Sequence, residues 1–140
     1  MNKDWKFYFY EISKIPRKSG NEGKIKEYLV NFANERKLKY YIDEQNNVII
    51  WKKANRNYNN SETIGLQAHV DMVCEKSKNN KHDFNKEPIE VIEKDGFLKA
   101  NGTTLGADNG IGVAYILAIL DSTIMNHPNI EAIFTTQEET

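Results

Sequence analysis

Apolar and polar positions recur along the chain with two periods, and these predict its elements. Trp5, Tyr8, Phe9, Ile12 and Ile15 fall at helical spacing between Asp4 and Ile15, and Pro16 stops the run. Pro16 to Asn21 reads as a loop. Ile25, Tyr28, Leu29, Phe32 and Ala33 then share one face of an amphipathic helix over Glu22 to Lys37. Lys39 to Asp43 and Val48 to Lys52 are short β-prone runs around Glu44-Gln45-Asn46-Asn47, the pattern of a hairpin. Lys53 to Glu62 is polar and Asn-rich, a surface loop. Thr63 to Val70 predicts a buried strand, and Cys74 to Lys86 a polar loop. Ile89 to Glu93 and Phe97 to Ala100 flank Lys94-Asp95-Gly96 as a second hairpin. Asn109 to Leu120 is apolar nearly all round and predicts a buried helix, followed by a last strand over Asn129 to Thr136. Helices and strands in this order predict an α/β fold with a mixed β-sheet flanked by helices.

Composition narrows the functional classes. The chain has 140 residues, enough for one domain with a core, and its 39% hydrophobic and 28% charged content is that of an ordinary globular protein. Its 19 basic and 20 acidic residues leave a formal charge of −1, so there is no basic surplus to displace counterions from nucleic acid. The single Cys74 excludes an internal disulfide. The longest strongly apolar run, Ile111 to Leu120, falls short of the roughly 20 residues of a membrane-spanning helix. The opening MNKDWKFYFYEISKI mixes aromatic and charged residues without a small-residue cleavage site, so a cytoplasmic location is expected. The cations between Lys14 and Lys18 read as a solvated loop, and the aromatics Trp5 to Tyr10 as packing against the sheet.

Three constellations carry candidate chemistry. In Gln67-Ala68-His69-Val70-Asp71, the i and i+2 positions of a strand put His69 and Asp71 on one side at its carboxyl end, where α/β sheets gather ligands. A carboxylate beside an imidazole suits an oriented metal ligand; a surface His beside a turn-forming Asp is the plainer reading. In Leu105-Gly106-Ala107-Asp108-Asn109-Gly110-Ile111-Gly112, Asp108 precedes the buried helix as a cation-bridging carboxylate or as a helix cap. The glycine spacing fits neither dinucleotide nor Walker phosphate loops. In Gln137-Glu138-Glu139, neighbouring residues of extended chain face opposite ways, so one glutamate can hold a metal while the other addresses water; a solvated acidic turn is the alternative. Taken together, one imidazole and several carboxylates at the ends of a predicted sheet layer have the composition of a zinc-type site.

The runs IGLQAHVDMVCE (Ile64 to Glu75), His82 to Ile89 and LKANGTTLGADNGIG (Leu98 to Gly112) resemble aminoacyl-histidine dipeptidases, also called Xaa-His or cytosol non-specific dipeptidases, of the di-zinc exopeptidase class. Ile15-Pro16-Arg17 and Ser19-Gly20-Asn21-Glu22 resemble the amino-terminal stretch of the same family. The resemblance implies hydrolysis of dipeptides, including those ending in His, by two zinc ions, with cobalt or manganese as substitutes. It implies His69 as ligand of one zinc, Asp108 as the bridge and Glu139 as ligand of the second. Glu138 would be the general base and then acid, with Asp71 assisting by fixing His69 or tuning the site. It also implies an Asp108–Asn109 peptide bond that is often cis. The family uses further ligands, an acid and a late His, and an inserted lid or dimerisation domain. None of these occurs before Thr140, so residues 1–140 are expected to be the amino-terminal part of a catalytic domain, and inactive in isolation. His82 and His127 are expected to be surface or structural, and Cys74 a small buried thiol. The alternatives are a non-catalytic scaffold or fold-mate without hydrolysis, and a nucleotide-binding domain using Gly106 to Gly112.

Overall fold

A computed structural model describes residues 3–140. The chain runs α1 (Trp5–Ser13), α2 (Gly23–Glu35), β1 (Lys39–Ile42), β2 (Val48–Lys52), a short 3₁₀ turn (Arg56–Tyr58), β3 (Ile64–His69), β4 (Val91–Lys94), β5 (Phe97–Ala100), α3 (Ala107–Asp121) and β6 (Ile130–Thr135). The local chemistry accounts for the boundaries. The Asp4 carboxylate accepts from the Phe7 amide at 3.0 Å and starts α1. Asp43 folds the β1–β2 turn by accepting from the amides of Gln45 and Asn47, each at 2.9 Å.

Four strands form a mixed sheet in the order β1-β2-β6-β3, with β1/β2 and β2/β6 antiparallel and β3/β6 parallel; β4 and β5 pair separately. Alternation along the strands turns Val48, Ile50, Ala68, Ile130, Ala132 and Phe134 into one core, where they meet Phe9 and Ile12 of α1, Ile25, Leu29 and Phe32 of α2, and Val113 and Leu117 of α3. This is the expected mixed sheet flanked by helices.

Four expectations are corrected. The strand expected to be buried throughout is an edge strand: Ile64 is 47% exposed, and only Ala68 and His69 within β3 are buried. The helix expected to be covered nearly all round leaves Tyr115 48% exposed, stacked on Trp5 at 5.6 Å. The loop expected to be solvated holds Arg17 at 2% exposure. Cys74 is half-buried rather than buried. His127 is buried and structural, its Nδ1 lying 2.8 Å from the Pro128 carbonyl.

The parallel pair positions the site. His69 stands in register with Thr135, and the Val70 amide donates to the Thr135 carbonyl at 2.8 Å. The carboxyl ends of β3 and β6 therefore lie side by side, bringing Asp71 next to the Gln137–Glu139 segment.

Phe134 sits fully buried on the central strand β6. Phe134→Ala is expected to cost about 3–5 kcal/mol in urea unfolding. Ile124→Ala, at a side chain 77% exposed, should stay within about 0.5 kcal/mol.

Candidate metal centre

Asp71 forms the floor of the site. It is fully buried, and its carboxylate accepts three hydrogen bonds: the Ser19 hydroxyl at 2.6 Å and the Glu139 amide at 3.1 Å on Oδ2, and the Glu138 amide at 3.1 Å on Oδ1. Burial raises the cost of its charge, yet these donors outweigh it and hold its pKa below the ordinary carboxylate range. One carboxylate at the end of β3 thus fixes the backbone that presents Glu138 and Glu139 after β6.

His69 rises from this floor, buried along its ring. Its Nδ1 lies 3.1 Å from the Asp71 backbone carbonyl, which can only accept, so Nδ1 carries a proton and donates. Its Nε2 faces Asp108 Oδ1 at 3.0 Å and Glu138 Oε2 at 3.9 Å, both acceptors. A neutral imidazole cannot satisfy both edges. Burial opposes a charge on the ring, but the Asp108 hydrogen bond and the nearby Asp71 and Glu138 charges prevail and raise its pKa. The position at Nε2 therefore calls for positive charge, which a proton or a metal cation supplies.

The carboxylates around it point outward. The Asp108 side chain is 86% exposed and that of Glu138 is 58% exposed. One donor atom each of His69, Glu138 and Glu139 lies within 4.8 Å of the other two. Asp108 joins the cluster through its contact with His69. All five sequence-derived residues, His69, Asp71, Asp108, Glu138 and Glu139, thus meet at one end of the sheet. This mixture of imidazole and carboxylates suits a zinc-type divalent cation, and the acceptor-lined Nε2 is the observation that fits it.

Asp108 does not cap the helix. Gly106 takes that position, and Asn109 Oδ1 accepts from the Gly112 amide at 3.0 Å where the regular helix begins. The side-chain capping bond is made by Asn109, and the Asp108 carboxylate turns to His69 instead. The Asp108–Asn109 peptide bond is cis.

Residue-by-residue reading missed Ser19 and Glu22. Glu22, at the start of α2, does not cap its helix; its Oε1 accepts from the Gly20 amide at 3.0 Å and the Gln137 amide at 3.1 Å. The Ser19-Gly20-Asn21-Glu22 stretch carried the only available signal, as part of a family resemblance without assigned roles.

Comparison with protein-family models finds no match. The chain is 40% identical over 131 residues, 94% of its length, to the cytosol non-specific dipeptidase of Escherichia coli, of which it spans 27%. The solved aminoacylhistidine dipeptidase of Vibrio alginolyticus is 39% identical and superposes with a TM-score of 0.95 over 97% of this chain and 28% of that one. A tripeptidase of Staphylococcus aureus shares the fold at 24% identity and a TM-score of 0.78, over 99% of this chain and 37% of that one. No helix among the described residues is long and apolar enough to cross a membrane.

Because the Asp71 pKa is depressed in the folded state, its contribution to stability is full above the unfolded value near 3.9 and is lost as pH falls through the lower folded value. Asp71→Asn should therefore lower the urea midpoint of the metal-free chain clearly at pH 7 and much less at pH 2–3. An equal loss at both would contradict the charge-based role.

Proposed function

Proceeding from this likeness in sequence and fold to aminoacyl-histidine and cytosol non-specific dipeptidases, we propose that the chain supplies part of the metal centre of a dipeptide-hydrolysing enzyme. The single observation that carries the reading is the His69 ring, whose Nε2 is bordered by the carboxylates of Asp108 and Glu138, with Glu139 in the same cluster. In this reading His69 would hold one cation and Glu139 a second, with Asp108 shared between them, and zinc would be the expected metal with cobalt or manganese as substitutes.

Bound cations would supply Lewis acidity, polarising a peptide carbonyl and lowering the pKa of water towards about 7. The chain's own residues do the rest. The Asp71 carbonyl holds the proton on His69 Nδ1, so Nε2 presents its lone pair to a metal. Glu138, half-exposed beside the cluster and anchored through its own amide, accepts a proton from the attacking water and returns it to the leaving amine. Asp71 stays ionised beneath them and keeps the two glutamates in place.

The chain spans 27% of the Escherichia coli relative, and the reading assigns the remaining ligands and substrate contacts to residues outside these 140. That relative is a cytosol dipeptidase by name, which also favours a cytosolic location. A non-catalytic scaffold would keep the sheet but would have no use for carboxylates gathered against a histidine.

Two measurements test the proposal. A chimera in which this chain replaces the matching segment of the Escherichia coli relative should hydrolyse dipeptides in a metal-dependent manner, and Glu138→Ala should lower kcat by about 10²–10⁴-fold while metal content is kept. Turnover by Glu138→Ala at the unsubstituted rate would refute the base assignment. The 140-residue chain alone should hydrolyse no dipeptide above a metal-only control.

A further inference from the structure

We propose that Arg17 is a positioning residue that sets the separation between His69 and Asp108. The proposal rests on the metal-centre reading for its purpose, but its geometry stands on this chain alone. Arg17 leaves the loop between α1 and α2 and runs beneath the site, buried to 2% exposure. Its Nη1 donates to the Val70 carbonyl at 2.9 Å, and Val70 lies between His69 and Asp71. Its Nη2 donates to the Gly106 carbonyl at 2.7 Å, two residues before Asp108. One planar guanidinium thus bridges the two segments that carry the imidazole and the bridging carboxylate.

The surroundings are shaped around this group. Gly106 has a φ of +76°, and a Cβ built there would stand 2.6 Å from Arg17 Nη2. A Cβ on Gly110 would stand 2.7 Å from the same nitrogen and 3.2 Å from the Phe9 ring. The Gly106 carbonyl also accepts from the Gly110 amide at 3.0 Å, so the contact that Arg17 makes coincides with the start of α3. The Arg17 carbonyl in turn accepts from the Met72 amide at 3.1 Å, locking the loop to the end of β3 from the other side.

Among the described residues, no carboxylate lies within hydrogen-bonding reach of the side chain. Its Nε is buried without a partner among the described residues. Burial pushes its pKa down to about 10, with Cys74 and Asp71 acting against that through space. A buried cation bonded only to neutral carbonyls is a poor device for stability. A fork that measures the gap between two backbone carbonyls accounts for its presence better. Lys offers a single nitrogen, without the fixed fork that holds the two carbonyls at a set spacing.

The test uses the 140-residue chain. By NMR in the metal-free protein, a short-range cross-peak between the His69 imidazole and the Asp108 side chain should be present. It should be lost in Arg17→Lys, which keeps the charge, and in Gly110→Ala, which keeps the arginine but displaces its guanidinium. Cobalt titration followed by visible absorption should show at least tenfold weaker binding in both variants, and no change in Lys14→Met from the same loop. In an Asp108→Asn background, adding Arg17→Lys should weaken cobalt binding less than twofold further, because the separation no longer matters there. A retained cross-peak in both variants, or a tenfold loss in the Asp108→Asn background as well, would overturn the proposal; should Arg17→Lys not fold, Gly110→Ala decides it. A cross-peak without cobalt binding in the unsubstituted chain would instead overturn the metal-centre reading and leave the role of Arg17 in the geometry supported.

Discussion

The site depends on one buried carboxylate. Asp71 is sealed from solvent, and an ionised group in that position persists only if its lone pairs are met by donors. The three donors come from two distant places in the sequence: Ser19 between the first two helices, and the amides of Glu138 and Glu139 beyond β6. Satisfying Asp71 therefore draws the loop after α1, the end of β3 and the end of β6 to a common point. Loss of any of these donors leaves the charge less satisfied, so the segments that meet at Asp71 depend on one another energetically. The adjacent parallel strands make this possible by bringing both carboxyl ends to the same height, with His69 opposite Thr135.

Above that floor the polarity is arranged in one direction. Both nitrogens of His69 face oxygens that accept, and the carboxylates beyond it become more exposed outward, from a fully buried Asp71 to an Asp108 open to solvent. A cluster of this kind repels itself unless something positive enters. In the metal-free chain the same carboxylates favour a proton on the ring and raise its pKa. A divalent cation meets the same need more fully, in competition with that proton, so metal affinity and pH are linked through a single ring.

The helices and hairpins were legible because their apolar residues repeat at 3.6 or 2 positions, as in Ile25, Leu29 and Phe32 of α2 or Ile130, Ala132 and Phe134 of β6. His69, Asp108 and the glutamate pair were legible because each closes a strand or opens a helix within a specific run of residues. Strand order was not: periodicity reports that Ile64 belongs to a strand but not that the strand is at an edge, where half its length meets solvent. Arg17 was misread for a related reason. It sits among lysines, and its partners lie 53 and 89 residues away, so nothing local distinguishes a guanidinium threaded under two glycines from a solvated one. Glu22 likewise looked like a helix residue, and its bond to Gln137 spans 115 positions.

The central proposal is that His69 and Glu139 each hold one of two cations, with Asp108 shared between them. Anomalous diffraction at the zinc edge from crystals of the 140-residue chain grown with zinc tests it most directly. The account predicts a peak at a ligand distance of about 2.0–2.2 Å from His69 Nε2 and an Asp108 carboxylate oxygen, with Glu139 in the same cluster. Zinc bound only elsewhere on the chain, with His69 still in direct contact with Asp108, would contradict it.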